Sequence, residues 1–197
     1  MQTEIIEFLV AALLLGTSLT LLVTLDWSWR VAALALQYLG AFVLVLQSWP
    51  LELAAVKLVA GWIASTVLGF TRQGLEKNPP RATLVPTGLI FRGLSAALVV
   101  TVVFAVAPGL PGWAAPISSG QAWGGLLLIG MGLLNLGLGS RILTSIFGLL
   151  SIFSGFEILY AALEASTLVA GLLAIINLGI ALVGAYLLVI PQMETTK

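Results

Sequence analysis

The chain has 197 residues, 60% of them hydrophobic and 8% charged, with eight basic and eight acidic side chains and a formal net charge of zero. Soluble domains carry about 25% charged residues, so this composition excludes a soluble fold and points to the bilayer as solvent. The absence of cysteine and histidine excludes disulfides, thiolate clusters, His-ligated haem, the usual zinc sites and Cys- or His-based nucleophilic catalysis, while zero net charge without a long basic run argues against nucleic acid.

The N-terminal stretch Met1-Gln-Thr-Glu-Ile-Ile-Glu7 is acidic where a secretory signal carries positive charge, so the first apolar segment reads as a retained helix. A membrane-spanning helix needs about 20 apolar residues, with a lower limit near 17. About seven segments approach or meet that length, over Ile5–Leu25, Val31–Gln47, Leu51–Phe70, Leu89–Val106, Trp123–Leu138, Ile142–Leu159 and Leu163–Ile190. Two divisions are weak, at Ser48-Trp-Pro50 and around Tyr160–Ser166. Trp27, Trp29, Trp49, Trp113 and Trp123 fall at or beside segment ends, as an aromatic belt requires. The expectation is an all-α membrane bundle forming one polytopic domain over 1–197. It has helices 1–3 in 1–71, a cytoplasmic loop over 72–88, helix 4 over 89–106 and helices 5–7 over 123–190.

Charges sort by side. One set of ends and loops holds Arg30, Arg72, Lys77, Arg81, Arg92, Arg141 and Lys197, and the other carries Glu4, Glu7, Glu52 and Glu164. The positive-inside rule then places the N-terminus outside and the C-terminus in the cytoplasm. The connection Thr71–Pro86, with Pro79-Pro80, and the outer connection Pro108–Pro116 carry no evident chemistry. Glycines at 124, 125, 130, 132, 137 and 139 make the fifth segment suited to close helix packing or, alternatively, to a substrate path. A faint repeat is also present. Arg30 and Arg141 open the second and sixth segments, and Leu58-Val-Ala-Gly61 recurs as Leu168-Val-Ala-Gly171, which suggests two parallel three-helix units or a chance likeness of aliphatic strings.

Lys57 is the charge that stands out, inside Leu53-Ala-Ala-Val-Lys-Leu-Val-Ala-Gly-Trp-Ile-Ala64. A lysine at a helix centre costs roughly 2.5–3.5 kcal/mol to insert, so it needs a partner. Lys57 is about 21 Å, and Glu157 about 22 Å, from the cytoplasmic end of its helix at roughly 1.5 Å per residue. Equal depth makes a Lys57–Glu157 ion pair the first expectation. Snorkelling to the outer surface and contact with another subunit are the alternatives. Glu164 and Glu52 suit outer helix starts, where a carboxylate meets the positive end of a helix dipole. Asn177 falls near mid-membrane and Asn135 nearer the cytoplasmic end; with Gln37, Ser151 and Ser154 they suit interhelical hydrogen bonding. The ion-path candidates are therefore Lys57, Glu157, Glu164 and Asn177. No catalytic residue, cofactor or metal site is expected.

Two stretches, Ser140-Arg-Ile-Leu-Thr-Ser-Ile-Phe-Gly-Leu-Leu150 and Leu168-Val-Ala-Gly-Leu-Leu-Ala-Ile-Ile-Asn-Leu-Gly-Ile-Ala-Leu182, resemble the C-terminal part of hydrogenase-4 component E. More distantly they are similar to the three-helix K subunit of complex I and the C subunit of Mrp antiporters. Trp29-Arg-Val-Ala-Ala-Leu-Ala-Leu-Gln37, followed by a helix holding Lys57, extends the likeness over most of the chain. The resemblance implies a non-catalytic subunit of a proton- or sodium-translocating complex, with antiporter-like membrane subunits and the lipid bilayer as partners. The whole complex would be NADH dehydrogenase-like, hydrogenase-like or an antiporter. It also implies a prokaryotic inner membrane, or a thylakoid membrane for a cyanobacterial chain. Where K-type helices carry buried glutamates, this chain offers Leu150, Ser151 and Asn177, which departs from the family's proton path. An independent small transporter or channel, and a purely structural scaffold, are the alternative readings.

Overall fold

The computed structural model describes residues 2–75, 86–113, 117–139 and 141–194. Lys77, Arg81, Pro79-Pro80, Ala114–Pro116, Ser140 and Lys197 lie outside the described residues. The long helices are α1 (Gln2–Val23), α2 (Trp27–Val45), α3 (Leu51–Leu75), α4 (Pro86–Val106), α6 (Ser119–Leu138), α7 (Ile142–Leu163) and α8 (Thr167–Glu194). Between α4 and α6 a 3-10 turn over Ala107–Gly109 leads into the single helical turn α5 (Leu110–Trp113). All seven long helices have the length and composition to cross a bilayer, so the chain is an integral membrane protein of the all-α class.

Local chemistry sets the ends. The Asp26 carboxylate accepts from the Ser28 N–H at 2.9 Å and starts α2. Ser118 and Gln121 form a reciprocal capping box that starts α6, four residues before the segment expected at Trp123. The seventh helix begins at Thr167 rather than Leu163, because Glu164 is the extended C-cap residue of α7. The third reaches past Phe70 to Leu75, so the first residues assigned to the cytoplasmic loop are helical.

The helices form two rows. In one, α2 packs between α1 and α3; in the other, α7 packs between α6 and α8. The rows face each other so that α1 meets α6, α2 meets α7 and α3 meets α8, with α4 outside against α6 and α1. Apolar side chains fill the two resulting layers: Leu14, Leu44, Leu128 and Met131 in one, Leu34, Leu68, Phe147 and Leu150 in the other.

The tightest seam is α6 on α7. A Cβ at Gly132 would lie 2.7 Å from the Gly148 carbonyl oxygen, and one at Gly148 would lie 2.8 Å from that of Gly132. Gly125 and Gly155 repeat the arrangement two turns away. Where lipid supplies no hydrophobic drive between helices, such backbone approach is how packing contacts are gained. Gly130 and Gly124 also face neighbours, Val99 and Leu44, whereas Gly137 faces open space.

Candidate functional site

Lys57 lies six residues into α3, and Glu157 six residues before the end of α7. At roughly 1.5 Å per residue both sit about 9 Å from the same end of the bundle. The side chains meet: the Lys57 ammonium donates to Glu157 Oε2, and the two residues are only 5% and 4% exposed. Snorkelling is thereby replaced by an internal ion pair.

The pair is held by four helices. α3 packs on α2 and α8, and α7 packs on the same two, so Lys57 and Glu157 meet across a diagonal. Tyr38 of α2 and Asn177 of α8 meet across the other diagonal, the phenol donating to Asn177 Oδ1 at 2.8 Å. The Tyr38 ring places its face 5.5 Å from the Lys57 ammonium, a cation–π distance. One polar side chain from each helix thus closes a buried quartet: Tyr38, Lys57, Glu157 and Asn177. Gly61 makes room for it, because a Cβ there would fall within the Tyr38 ring. Its counterpart in the short repeat, Gly171, faces open space, so the two copies have different surroundings.

Further polar groups follow the α2/α7 seam toward the opposite end. Ser151 donates to Gln37 Oε1 at a long 3.4 Å, and Arg30 Nη1 donates to Thr144 Oγ1 at 3.0 Å. Arg30 and Gln37 are seven residues apart, as are Thr144 and Ser151, so each pair occupies one face of its helix two turns from the other. Gln37 Nε2 has no hydrogen-bond partner among the described residues, nor does Asn135 Oδ1 or Ser18 Oγ. Leaving a buried polar group unpaired costs free energy, so these three stand out from the satisfied polar core.

The remaining candidates separate from the quartet. Glu164 is exposed at the C-cap of α7, where its carboxylate accepts from the Tyr160 hydroxyl at 2.8 Å and its carbonyl from the Trp49 indole at 2.8 Å. It therefore ends a helix rather than starting one, and the dipole role expected of it does not hold. Glu52 does sit in the first turn of α3. Trp49 is buried against Glu164 instead of standing in an aromatic belt; Trp29 and Trp113 are exposed. Asn177 joins the site and Asn135 does not. Sequence reasoning missed Tyr38, although a phenol beside Gln37 inside an apolar segment is itself a signal of a buried partner.

Chemically the quartet provides one acid, one base and a phenol–amide bridge in a water-poor core. It can hold and exchange a proton, or carry a charge that another helix senses. Among the described residues no three acidic side chains gather as a metal site would need. In comparisons with known proteins, no family model, no curated protein and no solved structure matches the chain.

Proposed function

We propose that this chain is a non-catalytic integral subunit of a proton- or sodium-translocating membrane complex of the hydrogenase-4, Mrp antiporter or complex I type, in a prokaryotic inner or thylakoid membrane. The observation that carries the reading is the buried Lys57–Glu157 pair inside the four-helix quartet. Taking two charges out of water costs several kcal/mol per ion, and well-packed apolar residues often replace such a pair without loss of stability. In a membrane span, ionisable residues that persist under that cost mark ion pathways by default. The quartet supplies a titratable point. The polar groups along α2/α7 supply hydratable positions between it and the basic end. Antiporter-like subunits would pack on the lipid-facing helices, of which the Gly88–Trp113 span is the least buried.

The test is Lys57→Ala in membrane vesicles from cells making the whole complex, read as ion-driven pH change. Transport should fall while the complex assembles; unchanged transport with intact assembly removes Lys57 from any ion path. Co-purification comes first, since a chain recovered alone and monodisperse defeats the subunit reading.

A further inference from the structure

Arg30 is a second buried cation, and the quartet does not use it. It stands three residues into α2, about 4.5 Å from the helix end at roughly 1.5 Å per residue, and is 4% exposed. Nη1 is spent on Thr144, and the guanidinium lies 5.0 Å from the centre of the Phe147 ring. Nε and Nη2 have no partner among the described residues. Those two N–H groups form one edge of the guanidinium, the fork that grips two oxygens of an oxyanion at once.

The charges that act on Arg30 are positive. Thr144 belongs to the first turn of α7, so Arg30 sits against the positive end of a helix dipole. The N-cap residue of that helix is Arg141, which offers no side-chain cap to the free N–H groups. Arg92 and Arg141 both lie close enough to act on Arg30 electrostatically. Arg92 donates to the Leu22 carbonyl, and the Asp26 carboxylate caps α2 through the Ser28 N–H. Among the described residues no carboxylate is bonded to Arg30. A buried charge at a helix N-terminus, ringed by like charges, needs a counter-anion.

We propose that the basic end of the α2/α7 seam binds an anionic phosphate group, with Arg30 as its floor and Arg92 and Arg141 as its rim. The free fork matches two phosphate oxygens, and three guanidiniums suit a phosphate better than a singly charged halide. The site lies at a bundle end, the level at which basic pockets between membrane helices take headgroups. Half-buried Arg92 and exposed Arg141 give the approach from that surface.

The experiment uses the full chain in nanodiscs of phosphatidylcholine, with phosphatidylglycerol or inorganic phosphate added, read by native mass spectrometry and thermal unfolding. Retained phosphatidylglycerol with a raised Tm identifies a headgroup site; displacement of that lipid by inorganic phosphate, which itself raises Tm, identifies a soluble anion site. Arg30→Gln and the exposed Arg141→Gln should each weaken retention about tenfold, as loss of one charge-assisted pair requires. The second variant decides the matter where the first fails to fold. If neither anion is retained or stabilising beyond phosphatidylcholine, or if Arg141→Gln retains it fully, the proposal falls. Arg30 is then neutralised by another route, such as a partner's carboxylate.

Discussion

Lys57 and Arg30 are both buried cations, and the bundle treats them oppositely. Lys57 meets a carboxylate from a diagonal helix, an aromatic face and a nearby amide bridge, all inside the chain. Arg30 meets one hydroxyl and one ring, and its Nε and Nη2 are buried without a partner among the described residues. The first is closed on itself; the second is buried without a counter-charge bonded to it among the described residues. Burial alone therefore does not tell what a membrane-embedded charge is for, and the inventory of its partners does.

The largest break in this contrast comes from removing one half of the closed pair. Glu157→Leu should destabilise the chain by about 3–5 kcal/mol, because it strands the Lys57 charge in the core. The double replacement Lys57→Met with Glu157→Leu should recover most of that stability, measured by unfolding in mild detergent or bicelles, yet leave transport lost. Recovery of transport along with stability would make the pair a structural brace only.

A smaller effect is expected from the wall of the quartet. Gly61→Ala forces the Tyr38 ring aside and should cost about 1–3 kcal/mol, the usual range for overpacking. Thermal unfolding measures the cost, and Gly171→Ala is the control with open space at the new methyl. Equal effects at the two glycines would mean that the ring is not held where the structure has it.

The smallest effect belongs to the open cation. In phosphatidylcholine without added anion, Arg30→Gln should change stability by less than about 1 kcal/mol. The lost Thr144 bond and ring contact are offset by removal of an uncompensated buried charge. A loss as large as that of Glu157→Leu in the same assay would show that Arg30 is as internally satisfied as Lys57.

By itself the sequence determined the membrane class, the seven helices and the similar depth of Lys57 and Glu157. These follow from hydropathy and helical rise, which are local and additive along the chain. The expected Lys57–Glu157 pairing rested on depth alone. Only tertiary structure could decide it, since helices at equal depth can face one another or lipid. Packing order chose that α3 and α7 share a diagonal, that Tyr38 and Asn177 cross it, and that Gly61 yields its side to the ring. Helix ends near Glu164 and Trp49 were misread for the same reason: a short polar turn fixes neither its cap nor which indole it receives. The Arg30 fork was invisible too, because whether a charge has a partner among the described residues depends on how the helices pack.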